Sequence, residues 1–340
     1  MKKLLCVLVV VISLGGVPLF AGGGREAAPA APETAAVGNI GVVYSMGGRG
    51  DGGFNDLVYI GASQAARDFG LELVDIEPGE LAQIEPSLRA LARRDLSIIF
   101  AVGFTSIDFL QRVAQDHPDQ QFAIVDAAVD LPNVASLLFK EHEGSFLVGA
   151  IAGLTTETNT VGFVGGMESD LIRKFEIGYT EGVEYVNPEA TVRSAYVGVT
   201  AEAFRDPARG RELALSHFDG GADIVFAAAG MSGGGVIEAA ESEGALAIGV
   251  DTNQNPLAPG YVLTSMLKRV DTAVYNTVAA VVEGQFSPGI SRFGLAEDGV
   301  GYAIDEHNEH LIPREVVDRV EELKNKIISG EIVVTDPMAR

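Results

Sequence analysis

From Asn39 onward the chain alternates short apolar runs with longer amphipathic stretches. "IGVVYS" (40–45), "LELVDI" (71–76), "SIIFAVG" (97–103) and "QFAIVD" (121–126) read as buried strands. The segments between them, such as 61–69 and 107–117, space their apolar residues as helices do. Strands alternating with helices predict a parallel, doubly wound sheet. The pattern restarts after Phe139, with a helix over 144–154 and strands at "TVGFVGG" (160–166), "TVRSAYVG" (191–198), "ADIVFAAAG" (222–230) and "ALAIGVD" (245–251). Two such units in tandem, with no long linker between them, predict two lobes facing each other across a cleft. Polar or glycine-rich turns fall at the strands' carboxyl ends, at 45–55, 103–108, Asp126, 165–175, 230–234 and 251–255. Ligands of open α/β sheets bind along that edge. The C-terminal "REVVDRVEELKNKIISG" is an amphipathic helix.

Length and charge sharpen this picture. The 340 residues, 47% of them apolar, suffice for two ordinary domains. With 47 acidic against 24 basic side chains, the formal charge of -23 repels phosphates and anionic membranes, which argues against nucleic acid as a partner and for a neutral or cationic ligand. Residues 1–21 read as an export signal: Lys2 and Lys3, an apolar run broken by Gly15, Gly16 and Pro18, then the small residues Ala21 and Gly22. The run is marginal as a membrane span. "LFAG" resembles a lipobox, but Gly23 stands where the lipid-bearing cysteine would follow, which argues against acyl anchoring. The expectation is an exported protein, periplasmic or associated with the cell membrane. Cys6 lies in the leader, so the mature chain would have no thiol for disulfides, metal ligation or nucleophilic attack. Residues 22–38, "GGGREAAPAAPETAAVG", read as a flexible linker.

Three motifs look like chemistry. Gly48, Gly50 and Gly53 spell G-x-G-x-x-G, with Asp75 about twenty positions on, as a dinucleotide site requires. Against that reading, Asp51 and Asp56 occupy the turn and first helical turn where a pyrophosphate would sit. "GMSGG" (230–234) spells a nucleophile elbow around Ser232, with Asp251 or Asp271 and then His307 or His310 following in order, or else a glycine turn that admits a ligand to the backbone. "RGD" at 49–51 is too short to inform. The histidines show no metal-ligand spacing, so no metal site is expected.

Ordered blocks along the chain resemble the basic membrane protein (Bmp) group of ABC-transporter substrate-binding proteins, which includes bacterial purine-nucleoside receptors. They are "DGGFND" (51–56), "VAQDHPDQQFAIVD" (113–126), "NVASLLFKEHEGSFLVGAIAGL" (133–154), "VGFVGGMESDLIRKFEIGYTEGVEYVNP" (161–188), "GADIVFAAAGMSGGGV" (221–236), "AIGVDTNQ" (247–254) and "LTSMLKRVD" (263–271). The resemblance implies an α/β fold of the type I periplasmic-binding-protein class, two doubly wound lobes around a ligand cleft. It places three crossings near Phe139, Thr264 and Ser291, with an N-terminal lobe of 39–140 and 265–290 and a C-terminal lobe of 141–264 and 291–340. It further implies that Phe54 and Phe175 sandwich a purine ring and that Asp126, Asp251 and Lys268 hold the ribose. Asp51 and Asn55 would read the base edge with a backbone N–H near Gly230 or Met231, and Ser45 is a further candidate. The implied function is capture of nucleosides, purine ones first, for an ABC permease and its ATPase subunits, by a monomer without catalysis or cofactor. Two readings compete with it: a serine hydrolase built on Ser232, and a receptor of the same fold for a sugar or an autoinducer.

Overall fold

The computed structural model describes residues 38–339, so the leader and most of the linker lie outside the described residues. In chain order the first lobe begins with β1 (Asn39–Val43), α1 (Phe54–Phe69), β2 (Leu73–Ile76), α2 (Ile84–Ala92), β3 (Leu96–Val102), α3 (Ile107–Asp116), β4 (Phe122–Val125) and β5 (Val134–Phe139). The second lobe follows with α4 (Glu141–Thr155), β6 (Thr160–Met167), α5 (Asp170–Val186), β7 (Thr191–Gly198), α6 (Pro207–Asp219), β8 (Ile224–Ala228), α7 (Ser232–Glu243), β9 (Leu246–Asp251) and β10 (Val262–Lys268). The chain then returns through α8 (Val270–Val282) and β11 (Gly289–Phe293) before ending in β12 (Val300–Tyr302) and α9 (Arg314–Ile328).

Each lobe has one six-stranded sheet, ordered β11-β5-β4-β3-β1-β2 and β12-β10-β9-β8-β6-β7. The five consecutive strands of each lobe thus run in the order 2-1-3-4-5, the doubly wound arrangement whose crevice opens where the order reverses. Every pairing is parallel except that of β10 with β12. Strands β3, β4, β6, β8 and β9 are almost wholly buried because helices cover both faces, which is why they read as apolar runs rather than as alternation.

The second crossing falls later than expected. Thr264 and Ser265 lie inside β10, which stays in the second sheet through Lys268, so the chain leaves that lobe only at Arg269. Likewise Ser291 sits within β11, paired with Leu137 of the first sheet, and the third crossing follows Phe293. Backbone pairing, invisible in apolar content, sets both boundaries.

Helix ends follow their local chemistry. Gly70 ends α1 in the left-handed conformation, and Asp206 caps α6 ahead of Pro207, its carboxylate accepting from the Arg209 N–H at 2.9 Å. Helix α4 is buried almost all round because α5, α9, β10 and β12 all pack on it. The α4–α5 contact is close enough to exclude side chains: a Cβ at Gly149 would stand 2.2 Å from the Tyr179 carbonyl oxygen, and one at Gly182 2.1 Å from that of Phe146. Alanine normally gains about 1 kcal/mol over glycine inside a helix. Here the clash reverses the sign, so Gly182→Ala should destabilise the protein by about 1–3 kcal/mol, read as a lower thermal midpoint. A midpoint at or above that of the wild type would show that the two helices can separate freely.

Candidate functional site

The loop after β1 folds around its own carboxylates. Asp51 accepts from the N–H groups of Gly53 (3.0 Å), Asn55 (2.9 Å) and Asp56 (3.3 Å) and from the Asn55 amide (2.9 Å). Asp56 takes the N–H groups of Gly50 (2.7 Å) and Gly52 (2.9 Å). Gly48, Gly50 and Gly52 have φ of 68°, 81° and 65°, a left-handed path that side chains resist. The backbone donors that would cradle a phosphate are therefore already occupied by anions. Asp75, the acidic residue of the dinucleotide pattern, accepts from Tyr44 Oη at 3.2 Å and faces Arg49 at 3.4 Å. Within the RGD triplet Arg49 pairs with Asp75 and Glu77, while Asp51 is buried.

The GMSGG turn is likewise structural. Ser232 is fully buried; its hydroxyl donates to the Ala203 carbonyl and accepts from the Asp206 N–H, both at 2.8 Å. Both bonds anchor the short segment before α6, and no histidine is among this hydroxyl's hydrogen-bond partners.

Between the lobes lies a cavity with about 710 Å³ of empty space counting its open mouth. Ser45, Asp51, Phe54, Asn55 and Asp126 line it from the first lobe, and Phe175, Gly230, Asp251 and Lys268 from the second. Met231 does not line it; this residue precedes α7 in helical conformation. The expectation that Asp51 and Asn55 read a ligand edge meets a physical obstacle. Asp51 already accepts four N–H groups, and Asn55 Oδ1 accepts from both the N–H and the hydroxyl of Ser45 at 3.0 Å. These residues shape the wall, leaving one amide hydrogen of Asn55 free for a ligand.

The charged centre is different. Asp126, just past β4, and Asp251, at the end of β9, occupy equivalent places in the two sheets, and both adopt the left-handed conformation, with φ of 65° and 67°. Aspartate is among the few residues that tolerate it. Lys268 Nζ lies 2.5 Å from Asp126 Oδ2 and 3.0 Å from Glu141 Oε1, and the rings of Phe54, Phe139 and Phe175 stand 5.1, 5.1 and 5.6 Å from it. Asp126 Oδ1 is buried without a hydrogen-bond partner, and the Asp251 carboxylate has none among the described residues. Burial pushes Asp126 up to about 6 against the pull of Lys268; Asp251, buried and facing Asp126 and Asp51 besides, is pushed up to about 7. Burial would lower Lys268, but the carboxylates of Asp126, Glu141 and Asp251 outweigh it and hold the ammonium above its ordinary range. Chemically the cavity offers charged acceptors, a fixed cation and aromatic faces.

Gln254 Nε2 donates to the Gly52 carbonyl at 2.9 Å, a further bond from lobe to lobe beside Lys268–Asp126. Sequence reasoning missed Phe204 and Met46 in the cavity wall, and Glu141 with Lys174 behind it. Phe204 has no motif around it; Glu141 lies in the charged run Lys140–Glu143 and Lys174 follows Arg173, so both read as ordinary solvated helix starts. Phe175 also belongs to the hydrophobic core, at 3% exposure, so it packs as well as lines.

Two doubly wound lobes around such a cavity define a solute-binding protein. The family model for "Bmp: ABC transporter substrate-binding protein PnrA-like" matches residues 38–337, and the chain belongs to that family. It is 31% identical over 292 residues to basic membrane protein A of Borreliella afzelii, covering 84% of this chain and 87% of that one. It is 32% identical over 357 residues to an uncharacterized lipoprotein of Pyrococcus abyssi, covering 93% and 87%. Among solved structures, an ABC transporter solute-binding protein of Aeropyrum pernix K1 superposes with a TM-score of 0.82 at 33% identity, covering 89% of this chain and 94% of that one. Among the described residues no helix is long and apolar enough to cross a membrane.

Asp251 gives a test in the ligand-free protein. Its folded pKa of about 7 lies above the unfolded value near 3.8, so ionising it opposes folding. That cost is absent below about pH 4, grows as pH rises, and is complete above about pH 7. Asp251→Asn keeps a residue that tolerates the left-handed backbone. The variant should melt several degrees higher than the wild type near pH 8, with the gap closing on acidification. A lower midpoint at pH 8 would mean that the carboxylate is fully compensated in the empty site.

Proposed function

We propose that the protein captures nucleosides, purine nucleosides foremost, and delivers them to an ABC permease and its ATPase subunits. The observation behind this reading is one cavity in which two carboxylates without a full set of donors stand beside a buried lysine and two phenylalanine rings from opposite lobes. Vicinal hydroxyls are donors and ionised carboxylates are acceptor-only, so Asp126 and Asp251 suit a ribose, and charge-assisted bonds of this kind are roughly twice as strong as neutral ones. Phe54 and Phe175 give a flat base stacking contacts of about 1–3 kcal/mol each. Lys268 donates to a sugar oxygen and offsets part of the carboxylate charge. The protein works by binding alone; Ser232, the one serine in an elbow-like motif, spends its hydroxyl on the backbone. Relatives named as lipoproteins and substrate-binding proteins support export to the cell envelope.

Titration calorimetry with inosine, hypoxanthine and inosine monophosphate under one salt condition tests the ligand. Hypoxanthine lacks the hydroxyls that pair with buried carboxylates and should bind more weakly than inosine by about tenfold to a hundredfold for each such hydrogen bond it cannot make. The monophosphate adds close to two negative charges to a cavity that already holds Asp51, Asp126 and Asp251, and should bind more weakly still. Equal affinity for inosine and its monophosphate sinks the reading.

Phe54→Ala offers a second check. Phe54 is only partly buried, whereas Phe175 is core. Phe54→Ala should weaken inosine binding about tenfold while shifting the ligand-free midpoint little; Phe175→Ala should lower both, since truncating a buried phenylalanine costs about 3–5 kcal/mol. Wild-type affinity in Phe54→Ala would remove the first ring from the site.

A further inference from the structure

Glu141 does not line the cavity, yet it is a fully buried carboxylate and the first residue of α4, placed directly after the first crossing between lobes. Two ammonium groups converge on it. Lys268, at the second crossing, lies 3.0 Å away, and Lys174 of α5 pairs with its other oxygen. Lys174 in turn donates to the carbonyl of Phe139, the last residue of β5 in the first lobe. A single buried carboxylate therefore joins the exit of β5, the exit of β10 and the helix that holds Phe175.

We infer that Glu141 is the positioning residue of the ligand site: it shares the Lys268 ammonium with Asp126, so that the ammonium is not spent wholly on the cavity carboxylates and these keep acceptor capacity for the ligand. The geometry supports this directly. Lys268 has two carboxylates in contact, Asp126 on the cavity side and Glu141 on the hinge side. Without Glu141 the ammonium would settle wholly on the cavity carboxylates and compete with ligand hydroxyls. Lys174 makes the arrangement sustainable, because a buried glutamate shared by two ammonium groups stays ionised: burial would raise it, but Lys268 and Lys174 hold it below the usual carboxylate range. The charged groups facing this centre are Asp126, Asp251 and Lys268 around the cavity, Asp51 beside Asp251, Lys174 on α5, and His142, Glu143 and Lys140 at the start of α4. The Glu141 charge also helps to raise Asp126 and Asp251, so it should set the pH at which the site switches on.

The inference depends on the nucleoside reading only for the choice of ligand, and the test separates the two. Inosine affinity would be measured by calorimetry between about pH 5.5 and 8.5 for the wild type, Glu141→Gln, and the double variant Glu141→Gln/Lys174→Met. The double variant removes both buried charges together and so guards against misfolding. Alongside, the thermal midpoint of each ligand-free protein would be followed over the same range. At pH 8 Glu141→Gln should bind at least about tenfold more weakly. In Glu141→Gln the acid-side fall in affinity should move to lower pH, as should the inflection in ligand-free stability; in the double variant both should move the same way but less, because Lys174, which lowers Asp126, is removed as well. A residue that only supported the helix end would lower stability at every pH without moving either midpoint. Folded variants with wild-type affinity and unmoved midpoints would overturn the role of Glu141, and if Glu141→Gln does not fold, the double variant decides alone. Should the wild type fail to bind inosine, the nucleoside reading falls, and the ligand-free profiles still decide the role of Glu141.

Discussion

One buried cation organises this protein. Lys268 is 1% exposed, and an ammonium at that depth is sustained only by carboxylates close at hand. Asp126 comes to it from the first lobe and Glu141 from the crossing segment, while Lys268 itself ends a strand of the second lobe. Pairing this one charge therefore fixes how the lobes meet. The three phenylalanine rings around the ammonium add favourable cation–ring contact and keep water out, which strengthens every charge interaction within.

The carboxylates outnumber the ammonium groups. Asp51, Asp126, Asp251 and Glu141 are buried with only Lys174 and Lys268 to answer them. Asp51 is satisfied by backbone and amide N–H groups of its own loop, while Glu141 is balanced in charge by the two lysines without a hydrogen bond to either oxygen, and Asp126 Oδ1 has no partner. Unpartnered carboxylates at this depth make the site costly when empty. The left-handed backbone at both aspartates is a further local cost, typical of residues held for function.

The two lobes repeat one architecture and use it unequally. In both, the strand order reverses beside the cavity, and an aspartate closes the equivalent strand. The first lobe adds a carboxylate-wound loop with Phe54 at its end, the second a lysine and a ring from α5. Shared topology thus sets where a ligand can bind, and the unlike additions set what it can be.

The strands, their parallel packing and the repeat after Phe139 were legible because strands buried on both faces show as apolar runs. The blocks "DGGFND" and "AIGVDTNQ" marked Phe54 and Asp251 as site residues, and both line the cavity. The sequence alone also argued against a phosphate cradle, since Asp51 and Asp56 stand among the glycines, and the fold shows them holding the donors a phosphate would need. Tertiary structure alone decided the rest. The boundaries at Lys268 and Phe293 follow from which sheet each strand pairs with, a contact between segments far apart in the chain. Whether a polar side chain builds the wall or faces the ligand depends on which donors reach it, as at Asp51 and Asn55. Glu141 acquires its role only because two lysines, 33 and 127 positions further along the chain, fold onto it, and no local pattern records a charge met at that distance.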